Sequence, residues 1–244
     1  MFTASCGSDN EGSAPLSTSS ISAKWNVSAQ TSNYASFEFN KDGNYIVVEN
    51  PQTTSGNVTQ AAATTEPTVH FGKYQITDNT VKLAGLGTMV VTGIVGSQIT
   101  FNFATTANPE QKLDYTATRA PNVANSSKTD LLCRTWKVTS EIDKKNGEEK
   151  APEHNRIGWT VLFSHAGTYF VNHEDGTSPE LAQWKWKNAA ETEVYYSWDN
   201  WDDFVENEDF ITITELTKNS LKIYESQVND GTLYEYFLEL VPAN

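Results

Sequence analysis

Apolar and polar residues alternate with a period of two through most of the chain. Ile21, Ala23, Trp25, Val27 and Ala29 fall on one side of an extended segment; Ser22, Lys24, Asn26 and Ser28 fall on the other. That is the pattern of a half-buried antiparallel strand. Phe37 and Phe39 make the next inward pair, and Lys41-Asp42-Gly43-Asn44 predicts a tight turn, because Asp-Gly tolerates the positive φ a hairpin demands. The return strand covers 45–49. Residues 50–67, rich in Thr, Ser, Gly, Ala and Gln, predict a long exposed loop, and further strands fall near 72–77, 80–83, 88–93, 98–103 and 113–119. No window carries sustained helical periodicity, although the aromatic spacing over 198–208 allows one short helix.

The pattern then repeats. Leu132-Cys-Arg-Thr-Trp136-Lys-Val138 matches Ile21-Ser-Ala-Lys-Trp25-Asn-Val27, and Phe163-Ser-His-Ala-Gly167-Thr-Tyr169 matches Phe39-Asn-Lys-Asp-Gly43-Asn-Tyr45. Ile213 through Ile223 matches Val91 through Phe101, and each copy ends on a proline, Pro121 and Pro242. A period of roughly 110–125 residues is a domain, not a solenoid unit. The sequence therefore divides into a tail and tether (1–20), a first domain (21–120), a polar linker (121–128) and a second domain (129–244) whose opening strand is predicted over 131–142. The linker offers no apolar face, so the two domains are expected to fold independently. Each holds seven or eight short strands joined mostly by hairpins. Closing such a meander removes its edges, so the expected fold is all-β, two tandem small antiparallel meander barrels.

A tryptophan on the first strand followed by Phe-x-x-x-Gly-x-Tyr on the next hairpin resembles the lipocalin-like domains of secreted Bacteroidetes-type lipoproteins. The resemblance covers nearly the whole chain after residue 20. Lipocalins place a glycine two residues before the tryptophan, where this chain has Ala23 and Arg134. They also pack a late arginine over the ring; the resemblance gives that role to Arg119 in the first copy and finds Leu240 at the matching place in the second. Both copies are short for lipocalins, which implies filled interiors. Met1-Phe-Thr-Ala-Ser-Cys6-Gly-Ser-Asp-Asn-Glu is similar to the end of a lipoprotein signal with the acidic tract of surface lipoproteins, although Thr3 replaces the usual aliphatic residue. The resemblance implies lipidation at Cys6 and a lipid-anchored, surface-exposed place at the outer membrane.

Charge narrows the partners. The net charge is -14, which argues against nucleic acid, whose binding needs phosphate neutralisation. Residues 1–128 carry 7 Lys+Arg and 9 Asp+Glu, a net of -2; residues 129–244 carry 10 and 22, a net of -12. The second copy also holds six of the seven tryptophans. Trp184 and Trp186 share a strand face, and Trp198 and Trp201 lie on the approach to the same sheet. These four are the candidate ligand-binding residues, because flat rings stack on apolar or sugar rings. The four histidines fall at no metal spacing, and the acidic run around Asp199 lacks the glycine of a calcium loop. No nucleophile motif, phosphate loop or dinucleotide fingerprint occurs. The expectation is a non-catalytic envelope protein with no cofactor and no metal. It would bind a small apolar molecule or a partner, or serve as a glycan-binding accessory, or act through filled barrels as a structural or interaction protein.

Overall fold

The computed structural model describes residues 15–28, 32–50, 67–152, 155–173, 179–198 and 210–243. Its first part is a closed barrel of eight antiparallel strands in sequence order: β1 (Ala23–Val27), β2 (Tyr34–Phe39), β3 (Asn44–Glu49), β4 (Val69–Thr77), β5 (Thr80–Leu83), β6 (Gly87–Val95), β7 (Gln98–Thr105) and β8 (Leu113–Arg119). The second part repeats the meander with β9 (Thr135–Lys145), β11 (Thr160–Phe163), β12 (Thr168–Asn172), β13 (Glu180–Trp186), β14 (Glu193–Ser197), β15 (Phe210–Leu216), β16 (Leu221–Asn229) and β17 (Thr232–Pro242), closed by pairing of β17 with β9. A short strand, β10 (Glu148–Lys150), pairs with β9 outside this barrel. The all-β tandem meander is as the sequence predicts.

The ends of the barrels differ from expectation. Ile21 does not belong to the first strand. It ends a helical turn, α1 (Thr18–Ile21), held by a capping box between Ser17 and Ser20. The predicted strand over 131–142 starts late for the same reason: a second turn, α2 (Ser127–Leu132), takes up the end of the linker, and the Ser126 side chain accepts from the Thr129 amide. Each turn drives one aliphatic side chain, Ile21 or Leu132, fully into the barrel base. The tryptophan four residues on then donates its indole N–H to that residue's carbonyl, Trp25 to Ile21 at 2.8 Å and Trp136 to Leu132 at 2.9 Å. Arg119 covers Trp25 at 5.0 Å, as the resemblance implies. In the second barrel the partner across from Trp136 is Pro242, not Leu240, and the covering cation is Arg134 at 5.4 Å, from the position where a glycine was expected.

The hairpin turns are superposable in their bonding. Gly43 and Gly167 sit at φ 81° and 83°, the left-handed region open to glycine. Their carbonyls accept from the amides of Tyr74 and Trp184. Those two side chains reach back to the same turn: Tyr74 Oη donates to the Asn40 carbonyl and Trp184 Nε1 to the Ser164 carbonyl, each at 2.9 Å.

The barrels are docked through these repeated hairpins. Ile46, Leu162 and Phe170 are buried at the contact, flanked by Val48, Val69, Phe71 and Leu181. Ile46 and Phe170 are equivalent positions of the two copies. Polar contacts are reciprocal as well: Asn44 reaches Thr135 at 2.7 Å, and Thr168 lies 3.5 Å from Lys24, where Lys24 and Thr135 precede the two base tryptophans. Residue i meeting j while j meets i is the signature of a two-fold interface, here built within one chain. Asp42 accepts from the Thr135 amide and hydroxyl, and buried Glu38 accepts from the Thr168 hydroxyl at 2.6 Å. Lys41 and His165 both approach Asp130, and the His165 hydrogen bond holds that carboxyl below its ordinary range. Cys133 is not in a strand; it caps α2 beside this contact, and burial raises its thiol well above the ordinary value.

Candidate functional site

The two barrels are filled differently. In the first, inward rings occupy the interior: Phe37 lies 5.1 Å from Phe101 and 5.2 Å from Phe103, and Tyr34 packs 5.3 Å from Phe103. Burial raises the Tyr34 phenol to about 12, with the nearby Glu49 carboxylate adding to the shift. These rings pack against one another across the barrel interior.

The second barrel keeps an apolar base and changes character towards its mouth. Register places Ile223 opposite Ile213 as Phe101 lies opposite Val91. Two residues further along the inward face, Phe103 of the first barrel corresponds to Glu225 of the second. Val161 likewise stands where Phe37 does. Glu225 accepts a short hydrogen bond from the Tyr196 hydroxyl, from β14 over the intervening β15 to β16. β9 contributes two more inward carboxylates, Glu141 and Asp143, whose side chains are 0% exposed. Arg156 enters from the segment before β11. Its guanidinium lies 2.8 Å from Glu141 and 3.8 Å from Asp143, and over the Tyr236 ring at 4.8 Å. Its amide also donates to Glu141 at 2.7 Å.

The opposite wall is aromatic. Tyr169 lies 5.7 Å from both Tyr196 and Trp198, and Tyr196 lies 6.0 Å from Trp198. Trp159 packs 4.0 Å from the His173 ring, and His173 Nε2 lies 3.6 Å from Glu180. Burial raises the Tyr169 phenol strongly, and the Glu225 carboxylate adds to it. This end of the second barrel thus packs an aromatic cluster beside an acidic one, linked by the Tyr196–Glu225 hydrogen bond and with Arg156 paired to the carboxylates. It can stack a ring and both accept and donate hydrogen bonds at its edge.

Of the four tryptophans read from the sequence, the three that are described do not form one site. Trp184 is a core residue, 1% exposed, doing for the second hairpin what Tyr74 does for the first. Trp186 packs on Trp184 at 5.4 Å and donates to Thr129 of α2, so it belongs to the base. Trp198 is 44% exposed at the mouth. Trp201 and Cys6 lie outside the described residues, as does most of the short helix allowed over 198–208. Sequence reasoning missed Glu141, Asp143, Arg156 and Glu225. The signal that finds Glu225 is the repeat itself, carried two residues past Ile223. His165 and His173 bracket one hairpin yet take separate partners, Asp130 and Trp159. Among the described residues no group of three His, Cys, Asp or Glu side chains is arranged to hold a metal ion. No helix of the described residues is long and apolar enough to cross a membrane. Compared with protein-family models and with curated proteins, the chain matches none.

Proposed function

We propose that this is a non-catalytic binding protein of the cell envelope, with lipocalin-like barrels, in which the mouth of the second barrel takes a small hydroxyl-rich ring, a saccharide being the class that fits best. The observation that carries the reading is the pair of fully buried side chains Glu141 and Asp143 on the inward face of β9, together with Glu225, which stands where the first barrel has Phe103. Burying carboxylates costs several kcal/mol per ion, about as much as a well-placed partner returns, and apolar residues of similar size would stabilise the fold at least as well. Such groups are kept where a ligand uses them. Hydroxyls can donate to the carboxylates and accept from Arg156, while the Trp198 and Tyr196 rings take the apolar face of the sugar. The first barrel is the filled scaffold. Anchoring at Cys6 and an outer-membrane location rest on the sequence near residue 6.

The test is calorimetric titration of the full chain with methyl glycosides and short neutral oligosaccharides, beside cyclic alcohols lacking the extra hydroxyls. The reading expects saccharide binding with quenching of tryptophan fluorescence, and the sugar recovered unchanged. Glu225→Phe, which gives the second barrel the residue found in the first, should abolish binding and leave the fold intact. If no saccharide binds, or Glu225→Phe binds as well as the parent, the mouth is not the site and an interaction role for the paired barrels takes its place.

A further inference from the structure

The first barrel carries a second concavity, on its outer face and unrelated to the mouth described above. The turn before β6 and the segment between β7 and β8 border a groove of about 500 Å³. Its floor is made of small or apolar residues, Gly87, Val90 and Ala104, and Pro109 forms part of one side. Ala104 is only 8% exposed although it points away from the barrel interior, since Phe103 and Thr105 flank it and Phe103 points in. Gly87 belongs to the inward face of β6, where a Cβ would stand 2.3 Å from the Ala104 carbonyl oxygen and 2.8 Å from the Phe103 ring, so only its backbone borders the groove. The strands therefore approach at backbone level, and no larger residue fits.

Two lysines, Lys82 and Lys112, stand at the rim. Neither has a carboxylate partner among the described residues. The nearest acidic side chain on β8, Asp114, is already engaged by the Asn102 amide. The larger acidic excess lies in the other half of the chain, net -12 against -2, and the groove itself is lined by no carboxylate.

The geometry points to a site for a small apolar anion: a short chain or ring lies along Val90, Ala104 and Pro109, and its carboxylate or sulfonate sits between Lys82 and Lys112. The groove volume is that of ordinary small-molecule sites. An apolar body with one negative end matches an apolar floor with a positive rim. The ligand is a free molecule taken from solution, opposite in charge preference to anything the acidic mouth would take.

Octanoate, octanol and octylamine, titrated into the full chain and followed by calorimetry and by amide NMR shifts, test this. The expected result is octanoate binding at least about tenfold tighter than octanol, with octylamine weaker still and the octanoate affinity falling as salt is raised. Shifts should centre on Val90, Ala104 and Lys112. The surface double variant Lys82→Glu/Lys112→Glu should lower octanoate affinity about tenfold or more without moving the unfolding midpoint appreciably. Ala104→Leu, which fills the floor, should also remove binding. Octanol binding as tightly as octanoate, an unchanged affinity in the lysine variant, shifts centred elsewhere, or no octanoate binding at all would each overturn the assignment. None of these outcomes bears on saccharide binding at the mouth.

Discussion

Phe71 of the first barrel and Phe170 of the second lie with ring centroids 4.6 Å apart, and Phe170 is 1% exposed. A residue on the outer face of one barrel is thus buried by the other. Phe170→Ala should cost about 3–5 kcal/mol, as truncation of a buried phenylalanine does. It should also split a single calorimetric transition of the parent into two, because the remaining coupling runs mainly through Ile46 and Leu162. An unchanged midpoint would mean that the hairpin contact contributes nothing to folding.

The helical turns at the two bases make a paired prediction. Trp25→Ala and Trp136→Ala should each lower stability by about 3–5 kcal/mol. Trp136→Phe keeps most of the apolar volume but leaves the Leu132 carbonyl without its indole donor, a loss of about 1–3 kcal/mol. Ser126→Ala should cost about 0.5–2 kcal/mol through loss of the N-cap. Denaturant midpoints of the four variants give the order directly. Trp136→Phe as stable as the parent would show that the bond to Leu132 is incidental.

Much of this architecture is legible in the sequence. Alternation finds the strands, and the spacing of Trp25 and Trp136 finds the repeat. The base turns are not legible, because four to six residues carry no helical period; only Ser17 and Ser126 hint at caps. The docking is written in plain view. Tyr45-Ile46-Val47-Val48, Val161-Leu162-Phe163 and Tyr169-Phe170-Val171 are apolar on both faces, which a solvent-facing barrel strand does not need. The polar linker diverts attention from that, since the contact is made by hairpins far from it. Trp184 looks like a binding residue until its twin Tyr74 is seen to make the same bond to the same turn. Glu141 and Asp143 fall on the inward face only because β9 carries a bulge between its pairings with Glu239 and Leu240, which sequence alternation alone does not locate.

Alkali should unfold the protein in a defined window. Burial raises the phenols of Tyr34, Tyr45, Tyr74, Tyr115 and Tyr169, Tyr34 to about 12. In the unfolded chain these groups ionise near their ordinary value of about 10. Between those limits the unfolded state has lost protons that the folded state retains, so stability falls as pH rises. Phenolate absorbance should therefore appear together with loss of the near-ultraviolet dichroism of the fold. Full ionisation of all the tyrosines in a protein that stays folded would contradict the burial described.

Arg156→Met should destabilise the second barrel by about 3–5 kcal/mol at neutral pH, since it leaves Glu141 and Asp143 buried without their cation. Adding Glu141→Gln and Asp143→Asn should recover most of the loss and leave a barrel that no longer binds saccharide. Unfolding curves of the single and triple variants separate the two effects. A single variant as stable as the parent would mean the guanidinium is not what balances these carboxylates.

The most direct measurement is an NMR titration of the full chain with saccharide, read at the tryptophan indole N–H resonances. The two barrels are distinguished by it at once, because the filled one contributes Trp25 and the mouth of the other contributes Trp159 and Trp198. The account predicts that Trp198 and Trp159 shift saturably while Trp25, Trp136 and Trp184 stay fixed. Shifts confined to the base tryptophans, or none at any concentration reached, would contradict it.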